Sequence, residues 1–142
     1  MDIIFKEYTL TADEFLSIEI KVNCMEETTK EQAEKSLSNQ ICSVAAFKGN
    51  EIVAIGRLVG DAAIYWLIAD IWVLPEYQGK GIGRKIVSWL LQYIRDNGIK
   101  GSHAAVFLMC AKDKEGFYEK LGFSRRPNEW EGAGMEMEMY IE

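Results

Sequence analysis

Apolar and polar positions along this chain keep two periods, and each change of period marks a new element. "IIFKEYT" (3–9) reads as a short first strand. Thr11 then opens T-x-x-E with Glu14, and Thr28 opens another with Glu31; both spacings are capping boxes and predict helices over about 11–22 and 28–39. "ICSVAAFKGNEIVAIGRLV" (41–59) holds two strand-like runs around Gly49-Asn50, a hairpin signal. "AAIYWLIADIWVL" (62–74) is apolar at both parities, the pattern of a strand buried on both faces, and Pro75 stops it. From Gly81 the helical period takes over: Ile82, Ile86, Val87, Leu90, Leu91 and Ile94 form one stripe, closed by Asn97-Gly98. "SHAAVFLMC" (102–110) predicts another strand, "DKEGFYEKLGF" (113–123) a short helix ending at Gly122, and "GMEMEMYIE" (134–142) an alternating last strand. The run from 62 to 110 has the form of a right-handed strand–helix–strand crossover. The order predicts an α/β domain with antiparallel hairpins at its front.

Bulk properties narrow the function. With 142 residues, no repeat and no Pro/Ser-rich linker, 1–142 is expected to be a single domain. No stretch approaches the ~20 apolar residues of a membrane span, and "MDIIFKEYTL" has no basic-then-apolar leader. Three cysteines (Cys24, Cys42, Cys110) without close spacing, and the single His103, offer no zinc set. A reduced, cytoplasmic protein without metal is expected. The net charge of −6 points away from nucleic acid and toward a cationic partner.

The chemistry concentrates in "VLPEYQGKGIGRKIVSWLL" (73–91), where Gly79, Gly81 and Gly83 precede the helical stripe among Lys80, Arg84 and Lys85. A strand that ends in a glycine-rich loop feeding a helix offers free N–H groups and a positive dipole end to an anion. The spacing is neither a Walker A loop nor a G-x-G-x-x-G dinucleotide fingerprint.

The pattern present is Q-x-x-G-x-G (Gln78, Gly81, Gly83), and with "DIWVLPEY" before it and "FYEKLGF" (117–123) after it the chain resembles the GNAT superfamily of N-acetyltransferases over nearly its full length. Together with a later "P…G-x-G-M", the motifs are also similar to its small aminoalkyl and arylalkylamine branch. The resemblance implies the GNAT fold: a central mixed, mostly antiparallel sheet of about seven strands, flanked by about four helices, with a bulged fourth strand splayed from the fifth. It further implies acetyl-CoA as co-substrate, its pyrophosphate on the backbone of Gln78, Gly79, Lys80, Gly81, Ile82, Gly83 and Arg84. The pantetheine arm would lie along Ile71, Trp72 and Val73, with the Val73 N–H on the thioester oxygen. Tyr118 would protonate the leaving thiolate. Many relatives have an Asn just after the fifth strand; here Ala111-Lys112-Asp113 stands there, so that contact is lost or replaced by Lys112 or Lys114 near the 3′-phosphate.

The acceptor half is thinner. An amine arrives as an ammonium and must lose a proton, so a carboxylate is wanted near the thioester. Asp70, inside an apolar strand, is either that base or a structural partner for an arginine. Glu129 and Trp130, with Glu131, are candidate amine ligands, and Trp66 and Trp72 are either pocket walls or core. His103 reads as an edge histidine and Cys110 as a small buried residue. The expected activity is direct acetyl transfer in a ternary complex to a small cationic amine. The rival readings are a non-catalytic acyl-CoA-binding module, or an enzyme acting on protein N-termini or lysines. A homodimer through the C-terminal strands is compatible with the pattern.

Overall fold

The computed structural model describes residues 2–23 and 27–142, so Cys24 lies outside the described residues. The chain divides into two compact units, Met1–Met109 and Cys110–Glu142.

The first unit is built on a five-stranded sheet in the order β1 (Ile4–Glu7), β2 (Cys42–Lys48), β3 (Glu51–Gly60), β4 (Tyr65–Val73), β5 (Ala105–Leu108). Neighbours from β1 to β4 are antiparallel, and β4 and β5 are parallel. The β2–β3 hairpin closes through Gly49-Asn50 as its sequence predicts. Helices α1 (Ala12–Asn23) and α2 (Lys30–Asn39) follow β1, and α3 (Ile82–Asn97) is the crossover between β4 and β5. Side chains of adjacent strand residues point to opposite faces, and Gly56 and Arg57 show which helices lie where. A Cβ on Gly56 would meet Ile86 and Leu90 of α3, whereas Arg57 bonds Ser36 of α2 and lies over the Phe15 ring of α1. So α3 covers one face and the α1–α2 pair the other. Val44, Val53, Ile55, Leu58, Trp66, Ile86, Val87 and Leu90 are all buried in the resulting core. Trp66 thus belongs to the core and not to a pocket wall.

Both helix starts are capped, one of them a residue later than its spacing suggests. Thr11 and Glu14 bond each other's backbone N–H groups as expected. The second box is Thr29 with Gln32, because the hydroxyl of Thr28 is committed to Glu19 Oε2 at 2.8 Å. T-x-x-E and T-x-x-Q overlap here, and a tertiary contact chooses between them.

The second unit holds one helix, α4 (Glu115–Glu119), followed by irregular chain. The last strand expected over 134–142 is not formed, and the sheet has five strands among the described residues where about seven were expected. Met135, Met137, Met139, Tyr140 and Ile141 are exposed, and the segment enters no backbone–backbone hydrogen bond among the described residues. Alternation gives a chain the two faces of a strand, but only a ladder partner makes it one.

Candidate active site

β4 changes character half-way along. Opposite it, Ile55 pairs with Trp72 and Arg57 with Ala69, so Gly56 alone faces both Asp70 and Ile71. That extra residue is a β-bulge, and Asp70 takes it up with φ 54°. Aspartate is among the few non-glycine residues that tolerate this region. A bulge is what the resemblance implies for this strand. On the neighbouring strand only a glycine leaves room opposite it: a Cβ on Gly56 would stand 2.5 Å from Ile86 Cγ2 and 2.9 Å from Ile71 Cδ1.

On its other edge β4 pairs with β5 only from Tyr65 to Ile68, so Ala69–Val73 has no β5 partner. The Leu74 N–H donates to the Val53 carbonyl at 2.9 Å. Backbone groups alternate sides along a strand, so the N–H and C=O of Val73 point to the open edge. Gln78 Nε2 donates to that carbonyl at 3.0 Å. The Val73 N–H is left with no acceptor among the described residues.

Immediately beyond, Pro75–Tyr77 makes a 3₁₀ turn and the chain enters α3 through Gly79 and Gly81, at φ 76° and 80°. A Cβ at either would meet no atom within 4 Å, so their side-chain directions open outward. Gly81 is the N-cap and gives no side-chain cap, and the N–H groups of Ile82, Gly83 and Arg84 have no partner among the described residues. Such an N-terminus, with Lys80, Arg84 and Lys85 around it, has the free donors and the positive charge that suit an anion. These observations fit an acyl-CoA: bare N–H groups for the pyrophosphate, and an open strand edge with a free donor for the pantetheine and thioester.

On the α1–α2 face, a cavity of about 490 Å³ lies between the helices and the bulge, lined by Phe15, Glu19, Ser36, Arg57 and Asp70 among others. Arg57 is buried, and four of its five N–H donors are used. It donates to Gln40 Oε1 at 2.9 Å, to Asp70 Oδ2 at 2.8 Å, and to the Ser36 hydroxyl and carbonyl at 2.8 and 3.2 Å. Asp70 therefore has the arginine partner that its sequence setting allowed as one of two readings. Trp72 packs on Phe15, with ring centroids 5.2 Å apart. Arg57 and Glu19 were missed in the sequence, although each leaves a signal there. Arg57 interrupts the apolar run "IVAIGRLV", and Glu19 falls on the Phe15–Ile18 face of α1, four residues after Phe15.

In the second unit, Tyr118 sits on α4 with Phe117 and Phe123 edge-on to its ring at 5.0 and 5.9 Å. Burial first, and then the charge of Cys110, hold its phenol above the ordinary value of 10.0. Cys110 is exposed, against the expectation of a buried residue. Asn128 accepts from the N–H groups of Trp130 and Glu131, and Glu129 and Trp130 are both exposed. His103 is exposed just before β5. Among the described residues no group of three His, Cys, Asp or Glu could hold a metal ion, and no helix is long and apolar enough to cross a membrane.

Residues 38–125 match the family described as "Acetyltransferase (GNAT) domain". An uncharacterized ycf52-like N-acetyltransferase of Prochlorococcus marinus is 27% identical over 100 residues, covering 68% of this chain and 53% of that protein. The chloroplastic serotonin N-acetyltransferase 2 of rice is 32% identical over 76 residues, covering 54% of this chain and 36% of that protein. This chain thus spans about half the length of the first and about a third of the second. A solved structure from meticillin-resistant Staphylococcus aureus, a protein of unknown function described as a probable acetyltransferase, superposes with a TM-score of 0.83 at 27% identity, covering 97% of this chain and all of that one.

Proposed function

Since this chain belongs to the GNAT family of acetyltransferases, we propose that it moves an acetyl group from acetyl-CoA to the primary amine of a small, cationic acceptor. The observation that carries the reading is the uncapped N-terminus of α3, opened outward by Gly79 and Gly81 at the end of a strand whose edge is unpaired. The donor would supply a thioester, whose carbonyl carbon is the electrophile. The backbone N–H groups of Ile82, Gly83 and Arg84 hold the pyrophosphate, and Lys80 adds charge. The Val73 N–H donates to the thioester oxygen, where negative charge grows as the amine attacks.

The acceptor nitrogen forms a bond to the carbonyl carbon while the carbon–sulfur bond breaks. One proton leaves the nitrogen and one is taken up by the sulfur, so amine and thioester become amide and thiol. Tyr118 is the proposed donor to sulfur. Asp70, whose Oδ2 is held by Arg57 while its Oδ1 accepts no hydrogen bond among the described residues, is the proposed acceptor of the amine proton, directly or through a water. Glu129 and Trp130 are proposed to border the amine. The similarity to a serotonin N-acetyltransferase supports a small amine and the aminoalkyl or arylalkylamine branch. The match over 38–125 runs through both compact units and supports reading 1–142 as one acetyltransferase domain.

Calorimetry with acetyl-CoA and a panel of amines tests this. Micromolar-range binding is expected, with turnover of cationic amines ahead of acidic amino acids or phosphosugars. A folded protein that does not bind acetyl-CoA, or an anionic amine preferred tenfold, overturns the corresponding half.

A further inference from the structure

Glu19 is the one buried side chain among the described residues whose polar atom has no partner. It lies on α1 with only 9% of its surface exposed, and it lines the cavity that runs to the β4 bulge. Its Oε2 accepts from the Thr28 hydroxyl at 2.8 Å, while Oε1 accepts from nothing. Burying a carboxylate is costly unless it is paired and fully hydrogen-bonded. No cation among the described residues is paired with it. Arg57 commits four of its five donors to Asp70, Gln40 and Ser36, and Lys35, exposed on α2, is in no ion pair among the described residues. The cavity thus offers an approaching ligand one buried carboxylate oxygen without a partner, a hydroxyl beside it, and the Phe15 ring as an apolar wall.

We infer that Glu19 anchors a second cationic group of the acceptor, so that the preferred substrate class is a diamine or polyamine. This rests on the acetyltransferase reading and adds the substrate class to it. A group held by Glu19 stays an ammonium and cannot be the nucleophile, which must be a neutral amine. The anchored nitrogen is therefore distal, and the reacting one lies at the other end of the ligand. The cavity supplies the geometry for that division, with Glu19 on α1 and Asp70 at the bulge on the same lining. A volume of about 490 Å³ accommodates a short aliphatic chain between two nitrogens. Each further link is chemical: the Phe15 ring covers methylenes, and the Thr28 hydroxyl fixes the carboxylate so that Oε1 is the oxygen presented.

The test compares 1,5-diaminopentane with n-pentylamine, equal in chain length and different by one ammonium, in the wild type and in Glu19→Gln. Glutamine keeps the shape and an acceptor for Thr28 while removing the charge. A hydrogen bond to a charged group is worth enough to predict a preference of about tenfold to a hundredfold in kcat/KM for the diamine in the wild type. In Glu19→Gln that ratio falls to near one, chiefly through KM. A purely structural role would lower both amines together and keep the ratio, which overturns the proposal, as does a wild type that prefers the monoamine. Calorimetric titration of the two amines into both proteins reads the anchor without turnover. If neither amine is acetylated, the acetyltransferase reading of the acceptor fails, and the binding ratio still decides Glu19. Equal diamine affinity in wild type and Glu19→Gln refutes the anchor.

Discussion

Tyr118 can protonate a leaving thiolate only while its hydroxyl keeps its own proton, and its surroundings act in that direction. Burial, and then the charge of Cys110, raise its pKa above 10.0. An acid with a raised pKa is fully protonated below its ordinary value and loses its proton only as pH rises through the raised one. The expected kcat profile therefore shows no descending limb below pH 10, and Tyr118→Phe lowers kcat by about a hundredfold with acetyl-CoA affinity retained. Unchanged kcat in the variant would make the ring a packing element between Phe117 and Phe123. Asp70 carries a different load at the same scale. It holds the bulge at a positive φ and neutralises the buried Arg57. Asp70→Asn tolerates that backbone and leaves Arg57 a neutral acceptor, so a loss of about 2 kcal/mol is expected in denaturant melts. Asp70→Ala gives up both the partner and the tolerant backbone and costs about 3–5 kcal/mol. Wild-type stability in both variants would show that the pair does not hold the strand.

At the scale of elements, the bulge depends on β3 as much as on β4. Gly56 faces the two extra-length residues and lies under α3, where a Cβ would stand 2.5 Å from Ile86 and 3.0 Å from Leu90. Gly56→Ala should cost about 1–3 kcal/mol by overpacking, seen as a lower urea midpoint at constant slope. No change in midpoint would mean that α3 shifts freely and that its close approach to β3 does not depend on Gly56. The same residues show what the chain discloses in advance. The α3 helix was legible to the residue, because a sharp glycine boundary and a strong stripe agree. The start of α2 was misread by one position, since two overlapping threonine motifs are locally equivalent and Thr28 is claimed by Glu19 from another helix. The tail over 134–142 has a strand's alternation and no ladder, a matter of partners that period alone does not encode. Arg57 and Glu19 escaped for the same reason. A charge on an apolar face announces a buried interaction, but which group completes it is decided by the packing of α1 and α2 on β3 and β4.

Across the whole molecule, charge is distributed against its own average. The chain carries a net −6, yet the entrance to α3 gathers Lys80, Arg84 and Lys85 around bare N–H groups. An acidic surface favours cationic amines, while the local basic site favours a phosphorylated donor, so one molecule can attract partners of opposite sign to different places. Binding to the folded state alone raises stability by mass action, by about 2.7 kcal/mol at a hundredfold excess over Kd. For a chain of this size that is a rise in Tm of roughly 5–10 °C with acetyl-CoA. Gly81 separates fold from site in this measurement. A side chain there meets nothing within 4 Å, though its φ of 80° costs any L residue something. Gly81→Asn and Gly81→Asp share that backbone cost, since both residues visit this region. They differ in the charge they set before the helix terminus. Both variants should therefore fold with similar Tm in the absence of ligand. The Asn protein should keep part of the acetyl-CoA shift and the Asp protein none, and added salt should shrink the shift in the wild type as the lysines and arginine are screened. A full shift in Gly81→Asp would show that the pyrophosphate binds elsewhere, and the assignment of this loop would have to be abandoned.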